Sequence, residues 1–169
     1  MCIRDSNTVA WTNAGTSTAD TLTGLNLTED STYYLSARAT DVAENLSVVV
    51  SGDGVTIDLT APVGTIVNDG TGDDIAYTGS DSTLSAIWSA FTETVSGISN
   101  YEYAIGSSSG GTDVVDWANN TTDTSVTKAG LTLSNGTTYY LSVRAADNVG
   151  NVSTIVLSLI HISEPTRPY

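Results

Sequence analysis

The text GLNLTEDSTYYLSARATDVAEN, from Gly24 to Asn45, returns without a gap as GLTLSNGTTYYLSVRAADNVGN from Gly130 to Asn151. Trp11 returns as Trp117 at the same offset of 106 residues. A period near 100 residues is too long for a solenoid and fits tandem copies of a whole small domain, which are commonly about that size. Whatever one copy folds into, the other is built to fold into as well. The expected organisation is a truncated first copy over residues 7–58 and a second, nearly complete copy over residues 59–156.

Neither end reads like the Thr-, Asp- and Gly-rich text between them. MCIRDS and LSLIHISEPTRPY hold the single Cys, the single Met, the single His and two of the five basic residues. Leu157 to Ile162 can be encoded CTG TCT CTT ATA CAC ATC, whose reverse complement, read one base in, is ATG TGT ATA AGA GAC AG and gives Met1 to Ser6. The two ends can therefore be one DNA element read on opposite strands. That element resembles the transposase adapters attached to fragments in sequencing libraries, and the match runs on through Ser163 to Arg167. Residues 1–6 and 157–169 are expected to be adapter-derived and are set aside from fold reasoning, leaving an internal fragment of something longer.

Without Cys2 and His161 the interior has no thiol and no imidazole. Thiol nucleophiles, disulfides and histidine-based acid/base or zinc chemistry are then out of reach. Each end carries one acid and one base, Arg4 with Asp5 and Glu164 with Arg167, so the net charge stays at −14. A chain that acidic repels phosphate backbones and anionic lipid, which excludes nucleic acid and membrane insertion as expected partners. No apolar run reaches spanning length. Any targeting segment is expected upstream.

The interior carries strand signals and no helical period. In Leu84 to Ala90 the residues Leu84, Ala86, Trp88 and Ala90 share one face, and Tyr101 to Ile105 alternates likewise before a Gly/Ser-rich loop at 106–111. Tyr139, Leu141, Val143 and Ala145 are expected to face inward, with Tyr140, Ser142 and Arg144 facing water. Asp147 to Asn151 reads as a turn into a strand at 152–156. Short strands about ten residues apart with polar turns argue for an all-β, antiparallel sandwich.

These residues resemble the fibronectin type III domain. The match includes Trp88 in the second strand, Gly97-Ile98-Ser99-Asn100-Tyr101-Glu102-Tyr103 entering the third, Leu133 six residues before Tyr139 as in the family's tyrosine corner, and Ala145 before the Asp147 turn. It covers about Ala61 to Val156, and again Gly24 to about Ile57. The resemblance implies an immunoglobulin-like β-sandwich, one complete copy preceded by a truncated one. Two departures stand out: Ser134 and Thr28 replace the usual proline before the corner, and Lys128 falls where an inward apolar residue belongs. The Arg-Gly-Asp of integrin-binding members is absent from the turn at 147–151.

Val48 to Ile57 should be the last strand of the first copy, interrupted at SGDG, with a linker at 58–62 in which Pro62 marks the boundary. The first copy lacks counterparts of Trp88, Tyr101 and Tyr103, so it should fail to close a two-sheet core and should expose its edges. Residues 157–162 alternate apolar and polar, so the final strand is expected to run into them.

The best candidate for chemistry is Asn68-Asp69-Gly70-Thr71-Gly72-Asp73-Asp74, where Asp69, Asp73 and Asp74 could offer oxygen ligands to calcium. Its spacing departs from the helix-flanked calcium loop, and Asp, Asn and Gly are also the default turn residues. Asp41, Glu44 and Asp147 form a weaker set. Asp113 and Asp116 are an acid pair of the kind glycoside hydrolysis uses, but in a loop with nothing to perturb them. Trp11 and Trp117 could stack on a sugar or another ligand, or pack at the sandwich edge. Asn-x-Ser/Thr triplets such as Asn119 to Thr122 follow from the composition.

The resulting expectation is a module without catalysis of its own, a spacer or adhesive stalk repeat in an extracellular or cell-surface protein, beside neighbouring domains of the same parent chain. Two alternatives stand with it: an ancillary or carbohydrate-binding module of a secreted polysaccharide-degrading enzyme, and a calcium-stiffened adhesin repeat. Trp117 exposed beside other aromatics would favour the first of these, and convergence of Asp69, Asp73 and Asp74 the second. No cofactor other than calcium is expected, and the partner is a protein or carbohydrate.

Overall fold

The computed structural model describes residues 2–5 and 9–162. The chain divides into two units, Met1–Leu59 and Thr60–Tyr169, and among the described residues every regular element is a strand. Unit 1 carries β1 (Cys2–Asp5), β2 (Thr12–Asn13), β3 (Thr32–Tyr33), β4 (Leu35–Arg38), β5 (Val50–Ser51) and β6 (Val55–Thr56). Unit 2 carries β7 (Val67–Asp69), β8 (Tyr77–Thr78), β9 (Thr83–Trp88), β10 (Ile98–Gly106), β11 (Val115–Asn119), β12 (Ser125–Ala129), β13 (Thr138–Asp147) and β14 (Val156–Ile162).

Unit 2 is an antiparallel immunoglobulin-like sandwich. One sheet has the order β12-β9-β7, the other β11-β10-β13-β14 with β8 added parallel to β14. Period-two alternation decides what lies between them: Leu84, Ala86 and Trp88 of β9 meet Tyr101, Tyr103 and Ile105 of β10 and Tyr139, Leu141, Val143 and Ala145 of β13. Tyr101 stands at the centre. Its ring takes edge contacts from Trp88 at 5.8 Å and Phe91 at 5.4 Å, and its hydroxyl accepts the Phe91 N–H at 3.0 Å. Edge-to-face pairs of this kind add about 0.5–1.5 kcal/mol each beyond the area they bury.

Three details differ from the expected pattern. β9 ends at Trp88, so Ala90 is exposed and Phe91 takes the inward place instead. Ser142 does not face water: it is buried, with its hydroxyl unpartnered among the described residues. β13 has a paired strand on each side, and a small side chain between half-exposed Tyr140 and Arg144 is shaded by its larger neighbours. Finally, the strand expected over 152–156 begins only at Val156. Val152 forms an isolated bridge to Ala146, and the Ser153 hydroxyl accepts the Ala145 N–H at 2.9 Å, standing in for a ladder carbonyl.

Other expectations match in detail. β14 pairs with β13 from Val156 opposite Val143 to His161 opposite Thr138, so it extends through 157–162, and Ile160 is buried in the core. Lys128 pairs opposite inward-facing Leu84 and is half-buried at the sheet edge. There a lysine can lay its apolar stem over the core while its ammonium reaches water. The tyrosine corner is formed, with the Ser134 N–H donating to Tyr139 Oη at 3.0 Å; Thr28 N–H and Tyr33 repeat it at 3.0 Å. A proline at either position would have no N–H to give.

Unit 1 reproduces one sheet of this plan and lacks the other. Its order β2-β1-β4-β5 copies β11-β10-β13-β14, with Cys2 opposite Arg38 and Asn13 where unit 2 has Glu102 opposite Arg144 and Asn119. The last strand breaks at 52–54, between β5 and β6, as SGDG implies. Residues 19–23, the counterparts of β12, form no strand, because the partner corresponding to β9 is missing. All core hydrophobics of the described chain lie in unit 2; Leu35 is 55% exposed while its counterpart Leu141 is 2% exposed.

That contrast is measurable. Leu141→Ala should destabilise unit 2 by about 2–5 kcal/mol, while Leu35→Ala at the equivalent position of unit 1 should cost no more than about 0.5 kcal/mol. Hydrogen exchange resolved by segment separates the two; equal damage from both would mean that the Leu35 face is covered.

Candidate functional site

The acidic loop after β7 is divided by the fold. Asp69 ends β7 on the inward side and is 1% exposed; its Oδ2 accepts the Ser158 hydroxyl at 2.9 Å. Asp74 turns back over it, with Oδ1 accepting the Asp69 N–H at 2.9 Å and lying 3.4 Å from the same Ser158 hydroxyl. Burial, opposed by the Ser158 hydrogen bond and reinforced by the neighbouring Asp74 carboxylate, pushes Asp69 up to about 6. Asp73 lines an open cavity of about 530 Å³ together with Thr71, Ser80, Thr83, Leu84 and Ile160. Among the described residues no three-carboxylate group joins Asp69, Asp73 and Asp74.

The other acids act as backbone caps. Asp147 Oδ1 accepts the N–H groups of Val149, Gly150 and Asn151 at 2.7–2.9 Å, and Oδ2 accepts the Asn151 amide at 2.7 Å. Burial alone would raise this carboxyl, but the Asn151 and backbone donors outweigh it and hold it below the usual range. Asp41 repeats the arrangement with Ala43 and Asn45, and the Asn45 side chain holds its carboxyl low. Asp113 accepts both the hydroxyl and the N–H of Ser107, which lower it, while Asp116 accepts the Trp117 N–H. The Asp113 and Asp116 carboxylates are thus engaged separately.

Trp117 lies on β11, half-buried, with the Arg144 guanidinium 4.1 Å above its ring. Arg144 Nε also donates to Glu102 Oε2 at 2.7 Å, so three adjacent strands are tied across the outer face of one sheet. Trp11 and Arg38 repeat the stack at 4.3 Å. One face of each indole is therefore occupied by a guanidinium, an attraction of about 0.5–2 kcal/mol according to exposure. Sequence reasoning singled out the tryptophans and missed their arginines. The signal was present: Trp and Arg recur together at one offset in both copies, as two residues that touch would.

No family model matches the chain. Exoglucanase B of Cellulomonas fimi is 34% identical over 155 residues, which covers 88% of this chain and 13% of that enzyme. The chain thus spans about an eighth of the length of the curated relative it matches. Among solved structures, an alpha-L-rhamnosidase from Dictyoglumus thermophilum aligns with 62% of this chain and 12% of its own, at 16% identity and a TM-score of 0.49. An Fn3-like protein from Clostridium thermocellum aligns with 64% of this chain and 97% of its own, at 21% identity and a TM-score of 0.39.

Asp69 makes unit 2 sensitive to pH in a defined direction. Its pKa is raised on folding from 3.8 to about 6, so its contribution is fully present below about pH 4 and is lost as pH rises through 6. Asp69→Asn should raise stability at pH 7 by as much as about 2–3 kcal/mol and remove the decline between pH 4 and 6. Urea unfolding at pH 5 and pH 7.5 checks this; an Asn variant less stable at pH 7.5 would assign Asp69 a charged partner.

Proposed function

We propose that the chain is a spacer module, without catalysis of its own, of a larger extracellular protein, and that this parent acts on polysaccharide. The observation that carries the reading is the 34% identity to Exoglucanase B, which extends over both repeat copies yet takes in only 13% of that enzyme. A relationship of that extent is one between building blocks within long chains. Within this chain the polar groups that sequence would nominate for chemistry are engaged in the sandwich itself: Asp147 closes a turn, Asp113 closes a loop, and Arg144 covers Trp117. An extracellular or cell-surface setting follows from such a parent, and the absence of cysteine in the interior agrees with a domain stabilised by its core.

The spacer reading is tested by affinity electrophoresis in gels containing soluble cellulose derivatives, where no retardation is expected. Retardation abolished by Trp117→Ala would replace the spacer with a carbohydrate-binding module. A second measurement separates the calcium-stiffened alternative. Millimolar calcium is expected to leave the thermal midpoint of unit 2 within about one degree, since a site that gains ligand only weakly gains little stability. A rise of several degrees, lost when Asp73→Asn and Asp74→Asn are combined, would establish a metal site in the acidic loop.

A further inference from the structure

We propose that Asn135-Gly136 is a site of spontaneous covalent modification, at which the Gly136 amide nitrogen closes on the Asn135 side chain, expels ammonia and leaves aspartyl and isoaspartyl forms of unit 2. The isoaspartyl form loosens the tyrosine corner.

The sequence contains a single Asn-Gly pair, and the fold presents it openly. Ser134 to Thr137 form a turn closed by the Thr137 N–H on the Ser134 carbonyl at 3.2 Å, with Gly136 at φ 75° in its third position. A type II turn requires a positive φ there, and glycine supplies it without strain. Asn135 and Gly136 are both exposed, and nothing lies within 4 Å of the place a Gly136 side chain would take. Among the described residues no hydrogen bond engages the Asn135 amide or the Gly136 N–H. Other asparagines are held: the side-chain amides of Asn45, Asn120, Asn148 and Asn151 donate at 2.7–2.9 Å to Asp41, Asp123, Ser96 and Asp147 in turn, and each precedes a residue whose own side chain hinders approach. Unit 1 keeps the turn without the reactive pair. Glu29 and Asp30 take the equivalent positions, Asp30 retains a positive φ of 56°, and its N–H is tied to the Ile57 carbonyl at 2.9 Å.

The chemistry balances with water alone. The Gly136 nitrogen gives its proton to solvent base and bonds to Asn135 Cγ; the Cγ–Nδ2 bond breaks, the amide departs as ammonia, and a five-membered succinimide closes. Water then opens the ring. Attack at Cγ restores the main chain with an aspartate at 135, whereas attack at the main-chain carbonyl leaves the chain running through the side chain, one methylene longer. Nothing is oxidised or reduced. The aspartyl form keeps the turn and places an acid where the first copy already has Glu29. In the isoaspartyl form the added methylene falls between Ser134 and Thr137, so the bond that closes the turn is displaced. Ser134 also gives the N–H that closes the corner on Tyr139 Oη at 3.0 Å, and Leu133 just before it is buried in the core. A donor or acceptor displaced beside a core costs more than one displaced in water.

The test ages the full chain in warm, mildly alkaline buffer and samples it by tryptic mass spectrometry. Cleavage after Lys128 and Arg144 isolates residues 129–144, in which Asn135 is the single side-chain amide. That fragment is expected to gain the mass of deamidation and to accept methyl groups from isoaspartyl methyltransferase, both faster as pH is raised. Gly136→Ala should slow the gain severalfold and Asn135→Gln should abolish it; if the Ala variant does not fold, the Gln variant decides. Fresh Asn135→Asp should match the fresh natural chain within about one degree in the thermal midpoint of unit 2, while the aged natural chain unfolds several degrees lower and aged Asn135→Gln does not. An unchanged mass in residues 129–144, over a period in which the isolated peptide of that sequence converts, overturns the proposal, because the turn would then hold Asn135 out of reach. Conversion at equal rates in Gly136→Ala and the natural chain overturns it as well, and an equal fall in midpoint for aged Asn135→Gln removes the link to the corner.

Discussion

A sandwich exists only when two sheets each have a face to bury, and in unit 2 that condition rests on the aromatic contact of Tyr101 with Trp88 and Phe91. β10 brings Tyr101 from one sheet, β9 brings Trp88 from the other, and Phe91 closes the end where β9 has stopped. Each ring buries a large area, and the hydroxyl of Tyr101 satisfies the Phe91 N–H, so the polar end of the central aromatic is not stranded. Once this layer is set, Leu141 and Val143 are fixed inward and β13 takes its place between β10 and β14. Unit 1 has the strand that corresponds to β13 and none of these rings. Its sheet forms, and its core does not.

That contrast separates local from long-range information. The turn closed by Asp147, the corner closed by Tyr139 and the bridging hydroxyl of Ser153 all recur in unit 1 as Asp41, Tyr33 and Ser47, although unit 1 buries no hydrophobic core among its described residues. Each of these motifs joins residues within about eight positions of one another, so closing it costs little chain entropy. They specify where strands end and how the chain turns. They do not supply the burial that makes a unit stable, because that comes from residues far apart in sequence.

The same distinction explains what could be read in advance. The repeat, the alternation of Tyr139 to Ala145 and the tyrosine corner are local patterns, and they gave the fold class and most of the core. Ser142 was misassigned because its burial depends on the side chains beside it on a central strand, which no period-two rule describes. Phe91 was missed because the end of β9 is set by tertiary packing, whereas alternation alone would carry the strand to Ala90. At the acidic loop the sequence showed three carboxylates in one glycine-rich stretch; it could not show that β7 would draw Asp69 inward while Asp73 stayed exposed. Arg144 over Trp117 was open to detection by shared recurrence, the one signal in a single sequence that reports a contact between distant residues.

Backbone pairing is tolerant of side-chain identity, and this has a consequence at both ends of the chain. Residues 157–162 complete the sheet of unit 2, and Cys2–Asp5 complete that of unit 1, in the registers a sandwich requires. Two buried polar groups lie opposite these segments: Asp69, with a raised pKa, accepts the Ser158 hydroxyl, and Arg38, whose Nε has no acceptor among the described residues, faces Cys2 across the ladder. Any alternating segment can fill a ladder; the side chains it brings decide the rest, and Ser158 supplies a hydroxyl donor to Asp69 while no acceptor reaches Arg38 Nε among the described residues. The selectivity of this sandwich lies in the few polar side chains that cross between strands, where a wrong partner leaves a charge buried and unanswered.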